Sequence, residues 1–113
     1  MAETSCIFCR IIAREVPAKV IAETDQILVI QDIAPKAPVH YLIIPKKHVK
    51  DIATLSEADA FIPSYIMLMA KQLASHLSGS QAFRLIINNG SDAGQSVFHL
   101  HAHFISGKKM LDF

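Results

Sequence analysis

Three of the chain's six histidines, His99, His101 and His103, stand at alternate positions in the run Val97-Phe98-His99-Leu100-His101-Ala102-His103-Phe104-Ile105. Successive side chains of a β-strand point to opposite faces. On a strand over Val97 to Ile105 the imidazoles line one face, and Phe98, Leu100, Ala102 and Phe104 cover the other. Same-face neighbours lie about 7 Å apart, so one imidazole can act while those beside it orient it or bind charge. The chemistry this row suits is nucleophilic catalysis at phosphorus, in which a neutral middle imidazole attacks and forms a phospho-histidine. Its attacking nitrogen is freed when the other ring N–H is tied to a carbonyl or carboxylate, and the flanking histidines then donate to phosphate oxygens. The plainer reading makes each histidine a hydrogen-bonded core or surface group, and three in register weigh against it. A zinc ion held by all three is disfavoured, because His99 and His103 stand about 13 Å apart on a strand and zinc needs each nitrogen at ~2.1 Å.

Just upstream, Asn89 to Ser96 supplies two glycines with hydroxyl and amide donors. Such a loop serves as an oxyanion cradle or as an ordinary turn. Near the other end, Cys6-Ile7-Phe8-Cys9 has the C-x-x-C spacing of zinc ribbons but offers half a tetrahedral site. Zinc ligation, two unligated thiols and a redox pair all stay open, the last without a βαβ context to support it.

The elements that must carry these groups follow from periodicity. Ser5 is placed to cap a short helix, Cys6 to Arg14, whose Ile7, Phe8, Ile11 and Ile12 form an apolar stripe before Pro17 ends it. Lys19 to Glu23 and Ile27 to Asp32 read as strands around a Thr24-Asp25 turn, and Val39 to Pro45 as a third. Ser56-x-x-Asp59 resembles a capping box opening a long helix through Leu77 that Gly79 stops, with Pro63 expected to kink it or break its first turn. Phe83 to Asn88 is a fourth strand and the histidine segment a fifth. Short turns and a single long helical connection favour an α+β fold, a five-stranded antiparallel sheet with its helices on one side.

At 113 residues and 51% hydrophobic, the chain has the length of one domain, 1–113, and ample material for a core. Its formal charge of +1, with basic residues scattered apart from Lys46-Lys47 and Lys108-Lys109, marks neither a nucleic-acid surface nor a membrane-attracting patch. Charges at Glu3, Arg10, Arg14 and Glu15 interrupt the N-terminal apolar groups that a signal peptide would need continuous, and no stretch approaches the ~18 apolar residues of a membrane span. A cytoplasmic protein with reduced or metal-bound cysteines is expected.

The run His99-Leu100-His101-Ala102-His103-Phe104-Ile105 resembles the His-φ-His-φ-His-φ-φ signature of the histidine triad (HIT) superfamily, φ being apolar. Gly94-Gln95-Ser96-Val97-Phe98, Asp32-Ile33-Ala34-Pro35-Lys36-Ala37-Pro38-Val39-His40 and Ile7-Phe8-Cys9-Arg10-Ile11-Ile12 look like its Hint branch, so the likeness spans nearly the whole chain. It implies a homodimeric hydrolase or transferase acting at the α-phosphorus of a purine nucleoside 5′-phosphoramidate or aminoacyl adenylate. Carried over by position, His101 is the nucleophile, His103 contacts the phosphate, and His99 and His40 complete the histidine network. Ser96, Gly94 and the backbone near Gln95 hold phosphate oxygens or the leaving group, with Asn88 beside them. Asp32 takes the ribose hydroxyls, and Phe8, Ile11 and Ile33 form an apolar slot around the base. Read without the resemblance, those last three are core, Asp32 a turn former and His40 a satisfied core histidine. The resemblance further implies a structural zinc held by Cys6, Cys9, His48 and His99, with no cofactor needed for catalysis.

Two other functions stand beside the phosphoramidase. One is a nucleotide-binding or interaction module whose turnover is incidental. The other is a dinucleoside polyphosphate hydrolase, a branch that favours a glutamine-containing segment after the triad, whereas Ile105-Ser106-Gly107-Lys108-Lys109 loosely resembles the Hint-type continuation. Asn89 departs from the acidic or hydroxyl residues common at its position, and His76, near the end of the long helix, is expected to be exposed and to favour the helix dipole when charged. Apolar groups on more than one side of that helix, from Phe61 to Met69, agree with a dimer.

Overall fold

A computed structural model describes residues 5–112; residues 1–4, part of the stretch read as lacking a signal peptide, and Phe113 lie outside them. Strands β1 (Val20–Glu23), β2 (Ile27–Gln31), β3 (Val39–Pro45), β4 (Phe83–Ile86) and β5 (Ala102–Ser106) form a sheet in the order β1-β2-β3-β5-β4. Every neighbouring pair is antiparallel. Helix α1 covers Ile7–Ile12 and helix α2 Phe61–Ala74.

The expected sheet forms, but the helices do not share a side. Helix α2 lays Ile62, Ile66, Met69, Ala70 and Leu73 against Ile27, Val29, Ile43, Ala102 and Phe104. Helix α1 lays Phe8, Cys9 and Ile11 on the opposite face, against Leu28, Ile30, Leu42 and Ile44. This two-sided cover explains why Ile27, Leu28, Val29 and Ile30 are all apolar and buried rather than alternating.

Local chemistry sets the element ends. Cys6, not Ser5, is the N-cap of α1, its Sγ accepting from the Cys9 N–H at 3.3 Å. The Ser56–Asp59 box forms, but it closes a 3-10 turn over Glu57–Asp59, and α2 starts only at Phe61. Pro63 therefore lies in the first helical turn, where no intrahelical N–H is needed, and the helix continues through it. The histidine segment joins the sheet only from Ala102, which pairs with Ile43. Continuing that register would set Leu100 opposite Pro45, which has no N–H to give, so the ladder stops and Leu100 donates instead to the Val49 carbonyl at 2.7 Å. Phe98, expected beneath the sheet, is left 46% exposed in consequence. Among the described residues no helix is long and apolar enough to cross a membrane.

Candidate functional site

Although His99 and His101 precede β5, the segment keeps the strand-like alternation. Leu100, Ala102 and Phe104 join the α2 core, while His101 and His103 have neighbouring rings, 5.2 Å between centroids, on the α1 side. Phe8 packs edge-on against His101 at 5.0 Å and His99 at 5.8 Å. Around His101 and His103 is a cleft of about 300 Å³, lined by Phe8, Ile11, Asp32, Ile33 and Ser96 among others. Of the residues expected to touch a nucleotide, these are the ones brought together with the histidines. Ile33 stands fully exposed at the mouth.

Hydrogen bonds fix the tautomers. His101 Nδ1 lies 2.8 Å from the main-chain oxygen of His99, and because a carbonyl only accepts, Nδ1 carries the proton and Nε2 keeps its lone pair. Burial pushes the His101 pKa below the usual imidazole range, which favours the neutral ring a nucleophile requires. His40 Nδ1 accepts from the Lys36 N–H at 3.0 Å, so its Nε2–H faces His103 Nδ1 at 2.9 Å and the Asp32 carboxylate at 3.4 Å. His103 then carries its proton on Nε2. Burial, followed by the neighbouring His101 and His40, lowers the His103 pKa as well. Asp32, His40 and His103 converge closely enough for a metal. The donor on His40 Nδ1 makes them a proton-ordered chain instead, since binding metal at Nε2 would require the proton on Nδ1.

His99 faces away from this cleft. Its Nε2–H donates to the Pro45 carbonyl at 2.7 Å, and its Nδ1 points at Cys6 Sγ (3.3 Å), Cys9 Sγ (3.6 Å) and His48 Nδ1 (3.1 Å). His48 Nδ1 is 3.3 Å from Cys9 Sγ. Burial pushes His99 down to about 4 and the Cys6 thiol up. Tetrahedral zinc with sulfur at ~2.3 Å and nitrogen at ~2.0–2.1 Å has ligand-to-ligand edges of about 3.3–3.8 Å, so this soft, buried donor set fits that ion. Only the His99 carbonyl, not its ring, reaches the nucleophile.

The Gln95 side chain has a structural role. Buried, it clips the loop, Oε1 accepting from the Gly90 N–H (2.8 Å) and Nε2 donating to the Lys50 (2.8 Å) and Val97 (3.1 Å) carbonyls. Asn88 lies beside Gly94, where a Cβ would stand 3.6 Å from its Nδ2, and Asn89 accepts from the Ala53 N–H. Neither lines the cleft. Exposed His76 is bonded to the Gln72 carbonyl at 2.9 Å. The sequence reading missed Gln31 and the apolar lining from Ile30 and Leu42. Their shared alternation with Leu28 and Ile44 was the available signal.

A family model described as "HIT domain" matches residues 13–110. An uncharacterised HIT-like protein of Synechocystis is 44% identical over 108 residues, 96% of this chain and 94% of its own. A histidine triad protein from Clostridium difficile superposes with a TM-score of 0.95 at 38% identity, over 100% of this chain and 99% of its own. A HIT family hydrolase from Legionella pneumophila gives 0.89 at 41% identity, covering 95% and 96%. A zinc-bound histidine triad family protein from Mycobacterium smegmatis gives 0.78 at 31%, covering 92% and 76%. The chain belongs to the HIT domain family.

Proposed function

We propose that this HIT protein is a Hint-type purine nucleoside phosphoramidase, which hydrolyses nucleoside 5′-phosphoramidates or aminoacyl adenylates through a nucleotidyl-histidine. The observation that carries the reading is the His101 tautomer, with Nδ1–H held by the His99 carbonyl and the Nε2 lone pair beside a cleft. His101 Nε2 attacks the α-phosphorus, and the P–N bond breaks with its electron pair on the departing nitrogen, which takes a proton from water. Water then attacks phosphorus, the pair returns to Nε2, and the sum is phosphoramidate plus water giving nucleotide plus amine. His103 Nε2–H and the Ser96 hydroxyl donate to the phosphoryl oxygens, whose charge grows in the transition state. Asp32 accepts from the ribose, and Phe8, Ile11 and Ile33 flank the base, a mostly apolar slot with few polar fixings.

Cys6, Cys9, His48 and His99 hold a structural zinc in this reading, consistent with the zinc-bound mycobacterial neighbour. The ion supplies a rigid cross-link between α1 and the His99 segment. The reading further takes residues 1–113 as one cytoplasmic domain that pairs through exposed Tyr65, Met67 and Leu68 of α2. Light scattering near 25 kDa, about twice the 12.5 kDa chain, supports the dimer, and 12.5 kDa overturns it. Chromatographic assay of AMP release from adenosine 5′-phosphoramidate tests the activity. Multiple turnovers by the native chain are expected, and tight nucleotide binding without turnover would leave a binding module.

A further inference from the structure

Cys6 and Cys9 are both free and buried, yet they differ in access. A surface hollow of about 300 Å³ is lined by Cys6, His48, Ser96 and the 46% exposed Phe98 among others, and Cys9 does not border it. A small molecule in that hollow therefore meets the Cys6 sulfur first. Cys6 is the N-cap of α1 and Cys9 its third residue, so their Cα atoms stand about 5 Å apart, within the span of a disulfide. Their Sγ atoms lie within 4.8 Å of each other, and side-chain rotation alone can bring them to the ~2.05 Å of an S–S bond. The same sulfurs are the contacts of α1 with His99 Nδ1 (3.3 and 3.6 Å) and His48 Nδ1 (3.3 Å). Phe8, between them in the chain, packs edge-on against His101, and Ile7, Phe8 and Ile11 wall the histidine cleft. What the two sulfurs bind is thus tied to the position of that wall.

We propose that Cys6 and Cys9 are a redox pair, which small peroxides entering by the hollow oxidise to a disulfide, and that this pairing frees α1 from His48 and His99 and loosens the cleft wall it carries. The Cys6 sulfur attacks one peroxide oxygen, the O–O bond breaks and water departs, leaving a sulfenic acid. The Cys9 sulfur then displaces its hydroxyl as a second water, so two thiols and one peroxide give one disulfide and two waters. Thiolates holding zinc follow the same electron count, with the two protons drawn from solvent and the ion released. The effect on the cleft rests on the nucleotide reading given above; the disulfide itself does not.

The test treats the native chain with hydrogen peroxide and follows the tryptic peptide from Met1 to Arg10, which contains both cysteines and ends at the first basic residue. The peptide is expected to lose two hydrogens and to regain them with dithiothreitol. Zinc should pass to a chromogenic chelator at the same time, and the dissociation constant for AMP should rise about fivefold or more, the lower end of coupling between linked sites. In Cys9→Ser oxidation stops at a Cys6 sulfenic acid that dimedone captures, and in Cys6→Ser the AMP affinity no longer responds to peroxide. Cysteines that stay reduced, or pass directly to sulfinic and sulfonic acids, overturn the pair. A reversible disulfide with unchanged AMP affinity overturns its hold on the cleft. Absence of zinc before treatment removes the zinc reading and leaves both of those readouts in force. A reduced chain that binds AMP but does not turn over adenosine 5′-phosphoramidate removes the phosphoramidase alone, and one that binds no AMP removes the nucleotide reading together with the coupling.

Discussion

The His101 ring donates its Nδ1–H to the main-chain oxygen of His99, 2.8 Å away, while the His99 ring turns into a cluster with Cys6, Cys9 and His48. One residue thus serves two sites with different atoms. Because the orienting group is backbone, substitution of the His99 side chain leaves a carbonyl at that position but removes a cluster member and the bond to Pro45. His99→Ala is expected to lower the melting temperature and the bound zinc per chain. Equal melting curves and equal zinc content in variant and native protein would refute the dual role.

His40 acts through His103. With Nδ1 filled by the Lys36 N–H, its Nε2–H sets the His103 proton on the nitrogen available to phosphate. His40→Ala leaves the half-buried His103 Nδ1 without its donor, a loss worth about 1 kcal/mol, or roughly 5-fold in kcat/KM for adenosine 5′-phosphoramidate. His40→Gln, which can donate from its amide, should recover part of it. No recovery, with the variant folded, would assign His40 to packing alone.

How far the sequence carried varied with the range of the interaction. Alternation placed the histidines opposite Leu100, Ala102 and Phe104, and the β-branched run Val39 to Pro45 is a strand over those same residues, because both are local patterns. The side of the sheet taken by α1 was not legible: its stripe needs an apolar face, and β2 offers one on both sides. Nor was the start of β5, which depends on Pro45 in a strand more than fifty residues earlier. The resemblance points to the backbone near Gln95 as a phosphate contact; that the Gln95 amide closes the loop is a tertiary fact, set by Gly90 and Lys50.

That loop clip predicts a stability cost with a functional echo. Gln95→Ala leaves the half-buried Gly90 N–H and the Lys50 and Val97 carbonyls without this partner, costing about 1 kcal/mol. For a chain of this length the melting temperature falls by several degrees, about 4–8 °C per kcal/mol. A melting point within 1 °C of native, on the order of measurement error, would contradict the clip.

One source of acid sensitivity lies just before α2. The Lys47 ammonium, then the Ser56 N–H, holds the Asp59 carboxyl below its ordinary pKa. A lowered folded pKa means the stabilisation is whole above the unfolded aspartate value, near ~3.9, and is lost as pH falls through the lower folded one. Urea midpoints should therefore decline through this acid window in the native chain, with a shallower decline in Asp59→Asn. Parallel curves for the two would refute the assignment.

Intact-protein mass spectrometry after a brief acid quench with adenosine 5′-phosphoramidate, on the native chain and His101→Ala side by side, reads the nucleophile itself. A covalent adenylyl adduct on the native chain alone, with AMP release falling at least about 10³-fold in the variant, is the expected result. An adduct of equal yield on His101→Ala, or AMP release by the variant at the native rate, would contradict nucleophilic catalysis by His101.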